Sequence, residues 1–196
     1  NGNLVFAATR GNGWTGELIT DNAIMISNIP KKINDTNDLE IRGEVYIEKD
    51  YFYSHLSKEL NIEGKKLFAN PRNAASGSLR QKDPEITRSR NLKFVAYDCI
   101  GRDNFRTFFD KINYISSLSF ETPELITLND IKNISAIRKI IESFFDKRDK
   151  IKYEIDGLVI RINSESDFYR AGYKRKTPNG SIAYKFETEK KVAIIE

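Results

Sequence analysis

Arg42 and Glu44 alternate in phase against Leu39, Ile41, Val45 and Ile47, so a strand over Leu39–Ile47 would carry Glu40, Arg42, Glu44 and Tyr46 on one face. Arg161 alternates against Ile160 and Ile162, and Lys185 against Ile182, Tyr184 and Phe186. Asp156 precedes Gly157, which sets a carboxylate beside a residue that permits close approach. Cations that meet phosphate oxygens, with carboxylates for Mg²⁺ and a ribose, are the equipment of phosphoryl transfer. A solvated sheet face has the same pattern, and periodicity alone leans toward it.

Strand patterning also covers Leu4–Arg10, Leu92–Ile100, Gly157–Asn163 and Ser181–Glu187, and a last short strand is expected over Val192–Ile195. Asn1-Gly2 ahead of Leu4 reads as a hairpin turn, so the expectation is a domain over residues 1–196 whose first strand lies upstream. Tyr51–Leu60 is expected to be helical, and Glu17–Ile26 a short helix or irregular. The small residues Asn73–Gly77 suggest a tight helix start. Ile131, Ile134, Ile137, Ile140, Ile141, Phe144 and Phe145 predict an amphipathic helix over Asp130–Lys147. Strands and helices mix without a βαβ rhythm, so the expected class is α+β. Gly11-x-Gly13-x-x-Gly16 follows a strand and matches a dinucleotide fingerprint by letter, but no regular crossover follows it. A glycine turn that holds Arg10 is the plainer reading.

The bulk properties narrow the classes. The chain has 196 residues, a formal charge of +4, one cysteine (Cys99) and one histidine (His55). An internal disulfide and a cysteine-rich zinc site are excluded, and a reducing cytoplasm is the expected compartment. A histidine-based triad would have only His55, beside the aromatic run Tyr51-Phe52-Tyr53. No apolar run reaches membrane-spanning length, so no membrane partner is expected. A mild basic excess fits a nucleic-acid partner or an ordinary soluble protein equally well.

Several segments together resemble the adenylation domain of bacterial-type NAD-dependent DNA ligases. Thr9-Arg10-Gly11-Asn12-Gly13-Trp14-Thr15-Gly16-Glu17 resembles their arginine–glycine segment, and Leu39–Val45 their nucleotidyltransferase motif III. Phe68–Gln81 is close to a long family signature. Phe94–Tyr97, Tyr153–Ile160 and Ala183–Phe186 look like motifs IIIa, IV and V, and all follow the family order. The resemblance implies an ATP-grasp-like covalent nucleotidyltransferase domain of mixed antiparallel sheets with flanking helices. It implies NAD and Mg²⁺ as cofactors, with nicked duplex DNA as substrate in DNA replication, repair and recombination. Arg10 would lie by the adenylate, Glu44 would bond the ribose and Tyr97 would stack on adenine. Arg72 and Arg80 would bind phosphates of NAD or of the nick. Asp156, Arg161 and Lys185 would serve the phosphate chemistry, with Lys185 at the α-phosphate; no residue is assigned as a metal ligand.

The departures from that pattern are specific. The family's nucleophile is a lysine in K-x-D-G, expected upstream of Asn1; the one x-x-D-G here is Glu154-Ile155-Asp156-Gly157. Arg161 stands where the family usually has lysine, Asn12 and Leu18 where it has acids, and Asn179-Gly180 where it has Arg-Trp. Self-adenylation by the isolated chain is therefore not expected. The nicotinamide-binding domain, oligonucleotide-binding fold, zinc module and helix-hairpin-helix array would belong to the parent protein. Three readings follow: a piece of a working ligase, a non-catalytic adenylate-binding remnant of a split or decayed gene, and a DNA-binding module using Arg72, Arg80, Lys82, Arg88, Arg90 and Lys93.

Overall fold

The computed structural model describes residues 1–62, 64, 68–128, 134–175 and 177–186. It divides into two compact units, Asn1–Thr127 with Lys152–Glu154, and Leu128–Ile151 with Ile155–Glu196. Helices mix with three two-stranded antiparallel sheets among the described residues, as α+β patterning implies.

In the first unit, β1 (Glu40–Tyr46) pairs antiparallel with β2 (Lys93–Ile100). Alternation places Glu40, Arg42 and Glu44 outward, as expected. Tyr46 departs from it: the ring is buried against Tyr153, at 4.9 Å between centroids, and its hydroxyl donates to Glu121. The register runs Arg42↔Asp98 and then Gly43↔Ala96, so Tyr97 is an extra residue on β2, a β-bulge. Gly43 is needed there because a Cβ would lie 2.3 Å from both the Phe94 ring and the Val95 carbonyl.

Short helices surround this ribbon. They are α1 (Thr20–Ile24), α2 (Lys49–Tyr51) and α3 (Ser57–Ile62), with a π-helical turn over Phe52–Leu56 between the last two. His55 is exposed on that turn and stacks on Tyr51. The signature segment becomes α4 (Pro71–Leu79): the Asn70 side chain accepts from the Asn73 amide, and Pro71 fits the first turn, where no amide donor is needed. Next come α5 (Pro84–Ser89), capped by Asp83, and α6 (Phe108–Ser117), which opens with a reciprocal Thr107–Asp110 capping box. One core joins Ile26, Ile47, Phe52, Leu56, Leu60, Ala74, Ala75 and Leu92. A second joins Ala96, Cys99, Ile112, Ile115, Leu118 and Phe120. Each large apolar side chain so buried contributes about 1.5–3 kcal/mol.

Leu4–Arg10 is not the strand its composition suggests. It makes one isolated bridge, Ala8↔Leu18, after another at Asn3↔Lys32 just ahead of it, and Val5 and Phe6 are exposed. Strand composition without a neighbouring ladder leaves the segment merely extended. The glycines after it form a turn: Gly11 and Gly13 have positive φ, the Asn12 side chain accepts from the Trp14 and Thr15 amides, and Trp14 is exposed. Five-residue α1 follows, and the next strand pairs antiparallel, so the loop is not a dinucleotide-binding crossover.

In the second unit, α7 (Ile134–Lys147) realises the amphipathic pattern; positions 130–133 of that expectation lie outside the described residues. β3 (Gly157–Arg161) pairs antiparallel with β6 (Ser181–Lys185). Between them lie α8 (Glu165–Ala171), capped by Ser164, and a small hairpin of β4 (Tyr173–Lys174) and β5 (Thr177–Pro178). The apolar residues that alternate with Lys185 on β6 are open, Ile182 at 66% and Tyr184 at 46% exposure. The expected strand over Val192–Ile195 lies outside the described residues.

Candidate functional site

The sequence-derived residues divide between the two units. In the first, the β2 bulge turns Tyr97 outward, half-exposed, beside the outward face of β1. Burial pushes the Tyr97 hydroxyl above its ordinary value, the Glu44 carboxylate adds to that, and Arg10 and Arg42 pull it down. Glu44 and Arg10, remote in sequence from Tyr97, are thus each within electrostatic reach of it. Arg42 is already engaged, donating to Glu40 at 2.6 Å. The face holds an open aromatic surface, a carboxylate able to accept from two hydroxyls, and a guanidinium. Those are the contacts that adenine, ribose and phosphate need.

Arg72 and Arg80 are two helical turns apart on α4 and its C-cap, with Ser76 between them at i+4. All three are exposed on that face. The Arg80 guanidinium donates to Ser76 Oγ at 3.2 Å and lies 3.5 Å from Glu17, which ties α4 to the segment that carries Arg10. Gly77 leaves room for Phe68, whose ring would be 2.6 Å from a Cβ there.

In the second unit, Gly157 pairs with Lys185 across the ladder, and Lys185 Nζ lies 3.6 Å from Asp156 Oδ2 with both side chains exposed. The Asp156 carbonyl accepts from the Phe186 amide at 2.9 Å, which fixes the carboxylate's backbone at the strand end. A Cβ on Gly157 would lie 2.2 Å from the Tyr184 carbonyl, so glycine permits the close pairing. Arg161 faces a different environment from Lys185. Its guanidinium donates to Glu165 at 2.7 Å and lies 3.9 Å from the Phe168 ring centroid, largely out of solvent. The sequence departure at Gly180 meets the same ring: a Cβ there would be 2.5 Å from Phe168. No three His, Cys, Asp or Glu side chains converge as a metal cage among the described residues.

Patterning missed the Asn28, Glu121 and Lys152 cluster around Tyr46. Its members come from distant loops, and local sequence carries no sign of their meeting.

The family described as the NAD-dependent DNA ligase adenylation domain matches residues 1–189. The DNA ligase of Helicobacter pylori (strain P12) is 43% identical over the whole chain, which spans 30% of that protein. The DNA ligase of Halothermothrix orenii is 38% identical over the whole chain, spanning 29% of it, and that of Clostridioides difficile (strain 630) is 39% identical over 97% of the chain, spanning 28% of it. This chain belongs to the NAD-dependent DNA ligase adenylation-domain family.

Proposed function

We propose that the chain supplies the adenylate-handling part of a ligase that seals 5′-phosphate/3′-hydroxyl nicks in duplex DNA. The observation that carries this is the outward Tyr97 on its bulge with Glu44 and Arg10 in reach. Tyr97 stacks on adenine, Glu44 accepts from the ribose hydroxyls and Arg10 meets the adenylate. Arg72 and Arg80 take phosphate oxygens of NAD or of the nick from one helix face. In the second unit, Lys185 is the cation for the α-phosphate with Asp156 beside it, and Arg161, at the end of β3 and paired with Glu165 of α8, supports that strand pair. The ATP-grasp-like character of the domain belongs to the same proposal.

In the whole ligase, a lysine amine attacks the α-phosphate of NAD and releases nicotinamide mononucleotide. AMP then passes to the nick 5′-phosphate, and the 3′-hydroxyl displaces it. The 196 residues contain no K-x-D-G, so the first step is proposed for the whole protein and not for this chain alone. Mg²⁺ fits the donors if it arrives on the nucleotide phosphates: that ion commonly uses one or two carboxylates and retains water, and Asp156 is the exposed carboxylate at hand. The partner domains, the cytoplasmic setting and roles in replication, repair and recombination are part of the proposal.

A DNA-binding module built on the basic stretch is less well supported. Arg90 is buried, Arg88 is paired with Glu85, and Lys93 donates to Ser27, so the stretch does not form one open patch. The test is equilibrium binding of NAD and AMP to the chain. Tyr97→Ala is expected to weaken AMP about tenfold, the order of one lost stacking partner. Equal binding by the Tyr97→Ala and Glu44→Ala variants would remove the assignment.

A further inference from the structure

Tyr97 turns outward because β2 carries an extra residue, and a bulge holds its form only if the backbone groups beside it are satisfied. On the edge of β2 away from β1 those groups are held by side chains and a loop. The Asn28 side chain forms a closed pair with Phe94, accepting from its amide at 2.9 Å and donating to its carbonyl at 2.9 Å. The amide of Ala96, immediately before Tyr97, donates to the Glu121 carbonyl at 2.8 Å.

Glu121 joins both supports. Its carboxylate accepts from Asn28 Nδ2 at 3.0 Å, from the Tyr46 hydroxyl at 2.7 Å and from Lys152 Nζ at 2.7 Å. Burial alone would raise this carboxyl, but the Lys152, Tyr46 and Asn28 donors outweigh it and hold the value below the ordinary one. The ionised carboxylate therefore fixes the orientation of Asn28, because only acceptors face the Asn28 amide nitrogen. That orientation is what lets Asn28 satisfy both groups of Phe94. One residue thus secures Phe94 by its side chain and Ala96 by its main chain.

We propose that Glu121 is a positioning residue for nucleotide binding: it locks the β2 bulge and so aims the Tyr97 ring. The proposal rests on the reading of Tyr97 as the adenine platform. A role confined to stability would lower the melting temperature and leave nucleotide affinity alone, which gives the two alternatives different signatures.

The experiment measures dissociation constants for AMP and NAD, with melting temperatures, on the wild-type chain and on Glu121→Gln, Tyr97→Ala and the double variant. Glutamine keeps the size but replaces one acceptor oxygen by an NH₂ where Asn28, Tyr46 and Lys152 all donate. Glu121→Gln is expected to weaken AMP about fivefold, and the double variant to bind no more weakly than Tyr97→Ala alone, since the two act through one ring. Asn28→Ala, which cuts the same support from its other end, is expected to behave alike, and serves if Glu121→Gln does not fold. At pH 8, where Glu121 stays ionised without the lysine, Lys152→Met leaves the Asn28 and Ala96 bonds in place; it should melt earlier and bind AMP within about twofold of wild type. Unchanged affinity in Glu121→Gln with a defective Tyr97→Ala overturns this inference alone. So do losses that multiply in the double variant, or a Lys152→Met defect equal to that of Glu121→Gln. Failure of the wild-type chain to bind AMP, or wild-type affinity in Tyr97→Ala, removes the adenine-platform reading and this inference with it.

Discussion

Arg161 and Lys185 are both strand cations, yet their environments assign them different consequences. The Arg161 side chain is 16% exposed and pairs with a Glu165 side chain that is 7% exposed. Its removal takes the paired charge from a largely buried carboxylate, and Arg161→Ala is expected to destabilise the chain by about 3 kcal/mol in urea unfolding. Arg161→Lys keeps the charge and loses the flat contact with Phe168, at a cost of about 1 kcal/mol. Lys185 is 77% exposed, and its pair with Asp156 is a surface one, so Lys185→Ala should stay within about 0.5 kcal/mol of wild type. If Lys185 contacts the α-phosphate as proposed, that variant should nevertheless lose nucleotidyl transfer in the complete ligase. Asp35 is the clearest pH-sensitive carboxylate: hydrogen bonds from Tyr114, the Asn37 amide and side chain, and Arg102 hold it at about 2. Its folded value lies below the unfolded one, so its contribution is complete above about pH 4 and disappears as the pH falls through about 2. Asp35→Asn should therefore flatten the acid limb of a stability profile between those limits while leaving the neutral region level.

Among the elements, the β1–β2 ribbon depends on the absence of a side chain at position 43. Gly43→Ala forces a carbon against the Val95 carbonyl and the Phe94 ring, and about 3 kcal/mol of destabilisation is expected, read as a fall in the urea midpoint. Cys99 on β2 is buried, and burial first, with Asp98 next, pushes its thiol up to about 11. It should resist a thiol reagent at pH 8 until that ribbon opens, and prompt labelling of the native chain would contradict the packing against Ile112 and Ile115. Alternation made these strands legible in the sequence, as it did β3 and β6, and helical spacing made α7 legible. α6 and α8 are absent from the sequence reading although Thr107-x-x-Asp110 and Ser164-x-x-Asp167 both announce helix starts. Leu4–Arg10 was read as a strand because its composition is right; pairing depends on neighbours that composition does not specify. The outward Glu44 followed from alternation alone. The bulge at Tyr97 and the Glu121 cluster did not, since Asn28 and Tyr46 reach Glu121 across 93 and 75 residues of chain.

At the scale of the molecule the two units differ in how much they bury. Both apolar cores lie in the first unit. In the second, α7 has no buried residue, and Phe168 and Glu165 are among the few side chains largely removed from solvent. Amide exchange is expected to be slow in β1, β2 and α6 and markedly faster in α7, β3 and β6, because opening a region with little buried apolar area requires less free energy. Equal protection in the two units would contradict this. Trp14 is the chain's single tryptophan, and it is 84% exposed on the glycine turn four residues from Arg10. Excitation at the red edge of the aromatic band therefore reports from one loop alone, with emission characteristic of a wet indole. A nucleotide arriving beside Arg10 would shift or quench that light without any label attached, so the chain is its own fluorescent titration probe.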